Sequence, residues 1–151
     1  MTDLSAESLR DFNSAIIEEF RSNGGKVGGP FAGATLLLLT TTGAKSGRPR
    51  LAPLAYLNVD GMMIVVGSKA GADSNPDWVY NLRAHPTAQV EVGTPSHDRI
   101  ESYEVVAREL SAAERDDIYA KVATMAPVFG EYQSKTDRKI PLFELKRVSA
   151  E

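Results

Sequence analysis

The sequence has no cysteine and only two histidines. Disulfide bonds and thiolate chemistry are therefore excluded, and we expect no histidine-based metal site. His85 directly precedes Pro86, so we interpret it as a residue that ends a helix and give it no catalytic role. No uninterrupted apolar run approaches bilayer-spanning length, and the first residues lack the basic and apolar blocks of a signal peptide. We therefore expect a cytoplasmic protein.

Composition indicates an ordinary globular chain. Its 151 residues, 42% hydrophobic and 25% charged, predict one domain over residues 1–151 with a substantial core. The isoelectric point near 5.5 argues against nucleic acid as a partner, because most of the surface would repel a phosphate backbone. Any anion bound by this protein is expected to be compact.

Acidic residues are missing from one long stretch, between Phe20 and Val59, which nevertheless contains five basic residues in a chain of formal net charge −3. Lys45, Arg48 and Arg50 lie close together within residues 43–50, which we call the basic loop. Lysine and arginine supply charge, while glycines let backbone N–H groups approach a ligand. The basic loop therefore predicts an anion site, with a solvated hairpin loop as the alternative.

Hydrophobic periodicity and turn residues predict an α+β protein built on a small barrel. An amphipathic helix is predicted over residues 5–21, and two further helices over residues 75–84 and 111–124. Six mainly antiparallel strands are predicted over residues 35–42, 50–58, 62–68, 87–92, 100–107 and 140–147. Pro53 within the second strand fits an edge or bulge position, where no ladder donor is needed.

A hairpin turn at Asp60-Gly61 joins the second and third strands. Their far ends then lie side by side, so the basic loop approaches the turn over residues 68–73, which we call the second loop. This loop contains Ser68 and Lys69. No serine nucleophile elbow, P-loop or metal-ligand cluster is present, so we expect a bound cofactor to carry the reaction.

The ordered motifs resemble the deazaflavin-dependent nitroreductase family from roughly residue 13 to residue 145. The motifs are Glu19-Phe20-Arg21, Gly24-Gly25-Lys26-Val27-Gly28-Gly29, Leu39-Thr40-Thr41-Thr42-Gly43, Lys45-Ser46-Gly47-Arg48, Pro53-Leu54, Ser68-Lys69-Ala70-Gly71-Ala72, Asn75-Pro76-Asp77-Trp78, Asn81-Leu82, Tyr132-Gln133, Thr136-Asp137-Arg138 and Ile140-Pro141. The resemblance implies a split β-barrel similar to FMN-binding, pyridoxamine-phosphate-oxidase-like proteins. It also implies the reduced deazaflavin coenzyme F420 as hydride donor.

The resemblance further implies a site. Coenzyme F420 has a planar deazaflavin ring, a phosphodiester and an acidic polyglutamyl tail. Lys26 and its neighbouring glycines would order the tail or the mouth of the site, and Ser68 and Tyr132 would serve the acceptor side as catalytic residues. The residues implied for cofactor binding are Lys45, Ser46, Gly47, Arg48, Arg50, Pro53, Ser68, Lys69, Gly71, Ala72, Trp78 and Asn81.

The sequence departs from the family pattern on the acceptor side. Nitroimidazole-activating members carry tyrosines where this chain has Ala55, Ala126 and Phe129, and only Tyr132 is kept. Tyr56 is adjacent, but alternation along a regular strand turns it to the opposite face. The resemblance implies an electron-poor acceptor, namely an activated C=C bond, a quinone or a nitro compound. The missing tyrosines predict a wider and more apolar pocket, in which we do not expect efficient nitroimidazole reduction.

Several alternatives remain open at this point. The cofactor could be FMN in the same groove, or the protein could bind F420 without turnover. The apolar face of the first helix, which includes Ile16 and Phe20, could lie on a membrane, although packing on the barrel is favoured. Both a monomer and a homodimer fit the sequence.

Overall fold

The computed structural model describes residues 6–25, 35–94 and 99–148, with the side chains of residues 6–13 and of Ala70 left aside. Its helices are α1 (Ala6–Ser22), α2 (Asp77–Ala84), α3 (Ala112–Met125) and α4 (Pro127–Ser134). Its strands are β1 (Leu36–Thr42), β2 (Pro49–Val59), β3 (Met62–Val66), β4 (Thr87–Gly93), β5 (Ile100–Glu109) and β6 (Leu142–Arg147). A short 3-10 turn spans Lys69–Gly71.

The six strands close into an antiparallel barrel in the order β1-β2-β3-β6-β5-β4. Alternate residues of each strand fill the interior, as Leu37 and Leu39 do from β1. The buried face of α2 joins the same cluster through Trp78, Val79 and Leu82, so this helix covers one end of the barrel. The predicted α+β split-barrel architecture is confirmed.

Helices also cover the outer face of the barrel. Ile16 and Phe20 of α1 pack on Leu36 and Leu38, and Phe20 is fully buried. This part of the apolar face is therefore occupied by the barrel and is not available to lipid. Elsewhere α3 and α4 pack on the outer sides of β3 and β6. Within the described ranges, no helix is both long enough and apolar enough to cross a membrane.

Local signals of the sequence account for most element ends. Asp60 and Gly61 have φ values of 52° and 82°, which confirms the predicted hairpin turn. The Ser111 hydroxyl accepts from the Glu114 amide at 3.4 Å, as a capping box requires. The helix predicted from residue 75 begins two residues later, at Asp77, and no side chain caps it.

Helix α4 is not among the helices that the sequence predicts. Pro127 lies in the first turn of the helix, where its missing N–H removes no helical hydrogen bond. The helix has only eight residues and includes Gly130, so its own propensity is low. Its contacts with α3 and with the 3-10 turn stabilise it instead.

The barrel opens between β2 and β3, and this opening determines where a site can lie. Residues 49–55 of β2 pair with β1, whereas the pairing with β3 covers only residues 56–59 of β2. Beyond β3 the chain leans toward β6, since the Gly67 N–H donates to the carbonyl of Pro141 at 2.9 Å. The first half of β2 thus has a free edge, which we call the split. Pro53 lies there, which confirms the predicted edge position.

Candidate functional site

The basic loop is a compact turn between β1 and β2. Its ends are joined by a hydrogen bond from the Gly43 N–H to the carbonyl of Arg48 at 2.8 Å, and the Gly47 N–H donates to the carbonyl of Gly43 at 2.9 Å. The Ser46 hydroxyl accepts from the Arg48 amide at 3.2 Å. Gly47 has a φ of 69°, a conformation that glycine adopts without strain. The loop backbone is therefore fixed before any ligand binds.

The cations of the basic loop are exposed and have no ion-pair partner in the described part of the chain. Lys45, Arg48 and Arg50 differ in this respect from Arg21 and Arg108, whose guanidinium groups lie 2.7 Å from the carboxylates of Glu91 and Glu114. Three cations without an ion pair in the described structure, close together in an acidic protein, create a local positive potential. This geometry suits a phosphate or another compact anion.

Asn81 of α2 holds the basic loop from behind. Its Oδ1 accepts from the Ala44 amide at 2.9 Å, and its Nδ2 donates to the Thr41 hydroxyl at 3.0 Å. The side chain is only 6% exposed. We predicted a direct contact between Asn81 and the cofactor, but the structure uses both ends of its amide to position the loop. That contact stays a prediction.

The second loop lies on the other side of the split, at the same end of the barrel as the basic loop. Ser68 is buried, and its hydroxyl has no hydrogen-bond partner among the residues that the structure describes. Lys69 adopts a φ of 46°, and its Nζ donates to the Ser74 hydroxyl at 3.2 Å. The two loops thus flank the free edge of β2, as hairpin geometry predicted. A cationic and a hydroxyl-bearing loop face one opening.

Glycine at position 71 serves close packing against α4. Its φ is 85°, and a Cβ atom there would lie 2.9 Å from the carbonyl oxygen of Tyr132. The neighbouring carbonyl of Ala72 accepts from Arg138 at 2.7 Å. Both residues were predicted to line the cofactor. The structure shows how they hold the second loop, and their contact with the cofactor stays a prediction.

The predicted residues of β2 lie on two faces of the strand. Pro53 shares the outer face with Ala55, whereas Arg50 follows the alternation of Leu54 and Tyr56 toward the inner face. A ligand that contacts both Arg50 and Pro53 must therefore pass over the free edge of β2. The split provides that passage.

Trp78 lies in the barrel interior. It is 6% exposed, and its ring meets that of Phe143 edge to face at 5.8 Å between centroids. Such an arrangement is typical of core packing. Its predicted contact with the cofactor stays a prediction, and its packing fixes α2 and thereby Asn81.

Phe129 and Tyr132, which the sequence predicts on the acceptor side, lie together on α4 and form an apolar wall. The rings of Phe129 and Tyr132 meet edge to face at 5.9 Å, and Lys135 Nζ lies 5.7 Å from the Tyr132 ring centre. Val128 is exposed beside them. Tyr56 belongs to the interior cluster, where burial raises the pKa of its hydroxyl. It therefore faces away from Ala55, as strand alternation predicted.

Lys26 and Gly28-Gly29 lie outside the described residues. Arg138, to which the sequence assigns no role beyond the Thr136-Asp137-Arg138 motif, donates to the carbonyls of Ser68 and Ala72 in the second loop. No local signal could have revealed this, because its acceptors are mainly backbone carbonyls that only the fold brings to it.

Comparison with known proteins places the chain first in a structural class. The barrel is similar to that of a haem storage protein of Vibrio cholerae, with a TM-score of 0.58 at 14% identity over 91% of this chain and 92% of that one. It is also similar to a solved F420H2-dependent reductase, with a TM-score of 0.61 at 39% identity over 74% and 93% of the two chains. A further solved structure, described as a domain-swapped dimer, has a TM-score of 0.63 at 34% identity over 94% and 100%. The class is that of split-barrel proteins.

Sequence comparison then gives the family. Residues 14–147 match the model of the F420H2-dependent quinone reductase family. An F420H2-dependent quinone reductase of Mycobacterium tuberculosis is 33% identical over 134 residues, which cover 85% of each chain. The chain belongs to the F420H2-dependent quinone reductase family, so it is an oxidoreductase whose cofactor is coenzyme F420.

The residues present fit that cofactor. The phosphodiester and the acidic tail of F420 require cations, and the basic loop offers Lys45, Arg48 and Arg50 without an internal carboxylate partner in the described residues. A planar ring requires a slot with apolar walls and a few polar groups. The split is bordered by Pro53 of β2 and by the second loop with its Ser68 hydroxyl, so the groups there are of the kind that such a ring requires.

Proposed function

We propose that this protein reduces quinones, and more slowly other electron-poor acceptors, with F420H2 bound along the split. The observation that carries the proposal is the set of unpaired cations of the basic loop beside the free edge of β2. Membership of the quinone reductase family supports quinones as the acceptor class.

The basic loop is proposed to bind the phosphodiester and the tail of the cofactor. Lys45 and Arg48 supply charge, and the backbone near Ser46 and Gly47 is exposed to solvent. Lys69 approaches from the other side of the split. Because the loops are fixed by their own hydrogen bonds, little ordering of the backbone is needed when the cofactor binds.

The acceptor is proposed to lie beside Phe129 and Tyr132 of α4, next to the second loop. When bound, the reduced coenzyme supplies a hydride to the acceptor. The protein orients the acceptor and excludes water, and the Tyr132 hydroxyl donates the proton that the reduced acceptor needs. Ser68 is the second candidate donor, since its hydroxyl has no internal partner in the described structure.

The apolar wall favours quinones over nitroimidazoles. A quinone presents a flat apolar ring. Unlike a nitroimidazole, it has no nitro group that the protein must orient through hydrogen bonds. Ala55 and Ala126 have no hydroxyl with which to orient such a group. We therefore expect the rate with a nitroimidazole to be well below the rate with menadione.

The first experiment is a fluorescence titration of the purified protein with oxidised F420, with FMN in parallel. We expect micromolar or tighter binding of F420 and no comparable binding of FMN. Oxidation of F420H2 is then followed with menadione, cyclohexenone and a nitroimidazole. Binding without oxidation of any acceptor would make this a cofactor-binding protein and contradict the proposed activity.

A matched pair of variants tests the proposed proton donor. Tyr132→Phe removes one hydroxyl and keeps the ring contact with Phe129, whereas Tyr119→Phe removes a hydroxyl that is bonded to the carbonyl of Phe129 at 2.7 Å. We expect Tyr132→Phe to lower kcat about 10²-fold without changing the cofactor affinity, and Tyr119→Phe to leave kcat unchanged. Equal kcat values for Y132F and the wild type would exclude Tyr132 as the donor.

The oligomeric state can be measured alongside. A similar solved structure is described as a domain-swapped dimer, and we propose a homodimer here as well. The molar mass from light scattering distinguishes a dimer from the 16.3 kDa monomer.

A further inference from the structure

We propose that Arg138 is a positioning residue that fixes the second loop in the shape needed to bind the cofactor. The proposal rests on the proposed function, because it assigns a role within the same site. Arg138 precedes β6 and reaches back across the split end of the barrel to residues 67–75. Its side chain is partly buried, and its hydrogen bonds go to atoms of residues 67–75.

The guanidinium group uses all five of its N–H donors on this segment. Nε donates to the carbonyl of Ala72 at 2.7 Å. One terminal nitrogen donates to the carbonyl of Gly67 at 3.2 Å and to Asn75 Oδ1 at 2.7 Å. The other donates to the carbonyls of Gly67 at 3.2 Å and Ser68 at 2.9 Å. One side chain therefore fixes both ends of the second loop.

No carboxylate pairs with Arg138 in the described part of the chain. Its hydrogen bonds go to backbone carbonyls and to the Asn75 amide oxygen, and the Asp73 carboxylate interacts with it electrostatically without a direct ion pair. Burial lowers the pKa of its guanidinium from the usual value. Arginine remains charged under these conditions. The Arg138 cation behind the second loop therefore adds to the positive potential of Lys69 and the basic loop, and Asp73 offsets part of it.

The segment that Arg138 fixes includes a strained residue. Lys69 has a φ of 46°, in the left-handed region that residues other than glycine rarely adopt. Such conformations persist where the surroundings over-determine them, and they cluster at functional sites. The Arg138 bonds to Ser68 and Ala72 lie on either side of Lys69. They hold the backbone in the conformation that directs the Lys69 ammonium.

Arg138 is itself fixed by α4. Gln133 Nε2 donates to the carbonyl of Arg138 at 2.8 Å, and Gln133 Oε1 accepts from the Ile140 amide at 3.0 Å. The Thr136 hydroxyl adds a bond to Asp73 Oδ1 at 2.8 Å. The helix that carries Tyr132 and the loop that carries Ser68 are thus joined through one polar network.

The test compares Arg138→Lys with the control Arg108→Lys. Arg108 also donates to several acceptors, the carboxylates of Glu114 and Glu144, but makes no contact with the second loop. Each variant is titrated with oxidised F420, and its melting temperature is measured. Hydrogen exchange of the amides of residues 67–75 is followed in the protein without cofactor. Lysine keeps the charge but cannot provide donors in a planar fork.

We expect R138K to bind F420 about tenfold or more weakly and to exchange the amides of residues 67–75 faster. R108K should lose thermal stability without either effect. Asn75→Ala removes one hydrogen-bond acceptor of Arg138 and should weaken F420 binding about threefold. This variant replaces R138K in the test if R138K does not fold. Wild-type F420 affinity in R138K, or in N75A where R138K is unfolded, would overturn the proposal.

The hydrogen-exchange measurement separates this proposal from the proposed function. If the wild-type protein does not bind F420, the proposed function fails, and with it the link between Arg138 and the cofactor. Faster exchange in R138K would then still support the positioning of the loop. Unchanged exchange of residues 67–75 in R138K would overturn that positioning role whether or not F420 binds.

Discussion

Removal of two cations from the basic loop tests the proposed cofactor site most directly. Lys45 and Arg48 are exposed and have no ion pair in the described structure, so the double variant K45A/R48A breaks no internal contact of their charged groups. The loop backbone should survive, because its hydrogen bonds join Gly43 to Arg48 and Gly47 through main-chain atoms. A change in affinity would therefore report on the ligand.

The expected magnitude follows from the exposure of the loop. Hydrogen bonds to charged groups contribute about 1.5–3 kcal/mol each, whereas exposed ion pairs contribute about 0.2–1 kcal/mol. The contributions of Lys45 and Arg48 to the binding free energy should lie between these limits, since a bound phosphodiester would exclude part of the solvent around them. We take about 1–2 kcal/mol for each, which gives about 30- to 700-fold weaker binding for the pair.

The assay is a fluorescence titration with F420 at two salt concentrations. The wild-type affinity should fall with salt, and the double variant should show a smaller fall because fewer charges contact the ligand. Lys121→Ala is the control, as Lys121 is an exposed cation that pairs with Asp60 at the opposite end of β2. A dissociation constant for K45A/R48A equal to that of K121A would refute the basic loop as the anion site.

Three further predictions concern stability. Asn81→Ala removes two buried hydrogen bonds and should cost about 2–3 kcal/mol, or about 4–10 °C in Tm by calorimetry; a loss no larger than that of a surface alanine variant would contradict its role. Gly71→Ala should cost about 2–4 kcal/mol in urea unfolding, since its Cβ would lie 2.9 Å from the Tyr132 carbonyl oxygen at a φ of 85°; wild-type stability would show that the loop relaxes. Arg108 lowers the pKa of Glu114. The ion pair therefore adds to the free energy of unfolding above about pH 4.3, and this contribution is lost as the pH falls through the lowered pKa of Glu114 in the folded protein. Arg108→Met should therefore flatten the acid side of the pH–stability curve, and an unchanged slope between about pH 5 and 3 would count against the pair.

Much of the fold follows from local patterns in the sequence. The Asp60-Gly61 turn has one favoured geometry, so it sets the register of β2 and β3 and the shared end of the two loops. The capping box at Ser111 and the alternation of Ala55 and Tyr56 are equally local. Helix α4 could not be predicted in this way, because its eight residues are helical through packing on α3 and the 3-10 turn.

The charged part of the site was also determined by the sequence. An acid-free stretch with three clustered cations remains basic in any fold, because charge is a property of the residues themselves. The roles of Asn81, Gly71 and Arg138 were decided by the tertiary structure alone. Their partners are backbone groups of distant segments, and a backbone carbonyl has no signature in the sequence. The sequence by itself determined which cationic groups are available to bind an anion, and the closed barrel with its split determined which residues hold the loops in place.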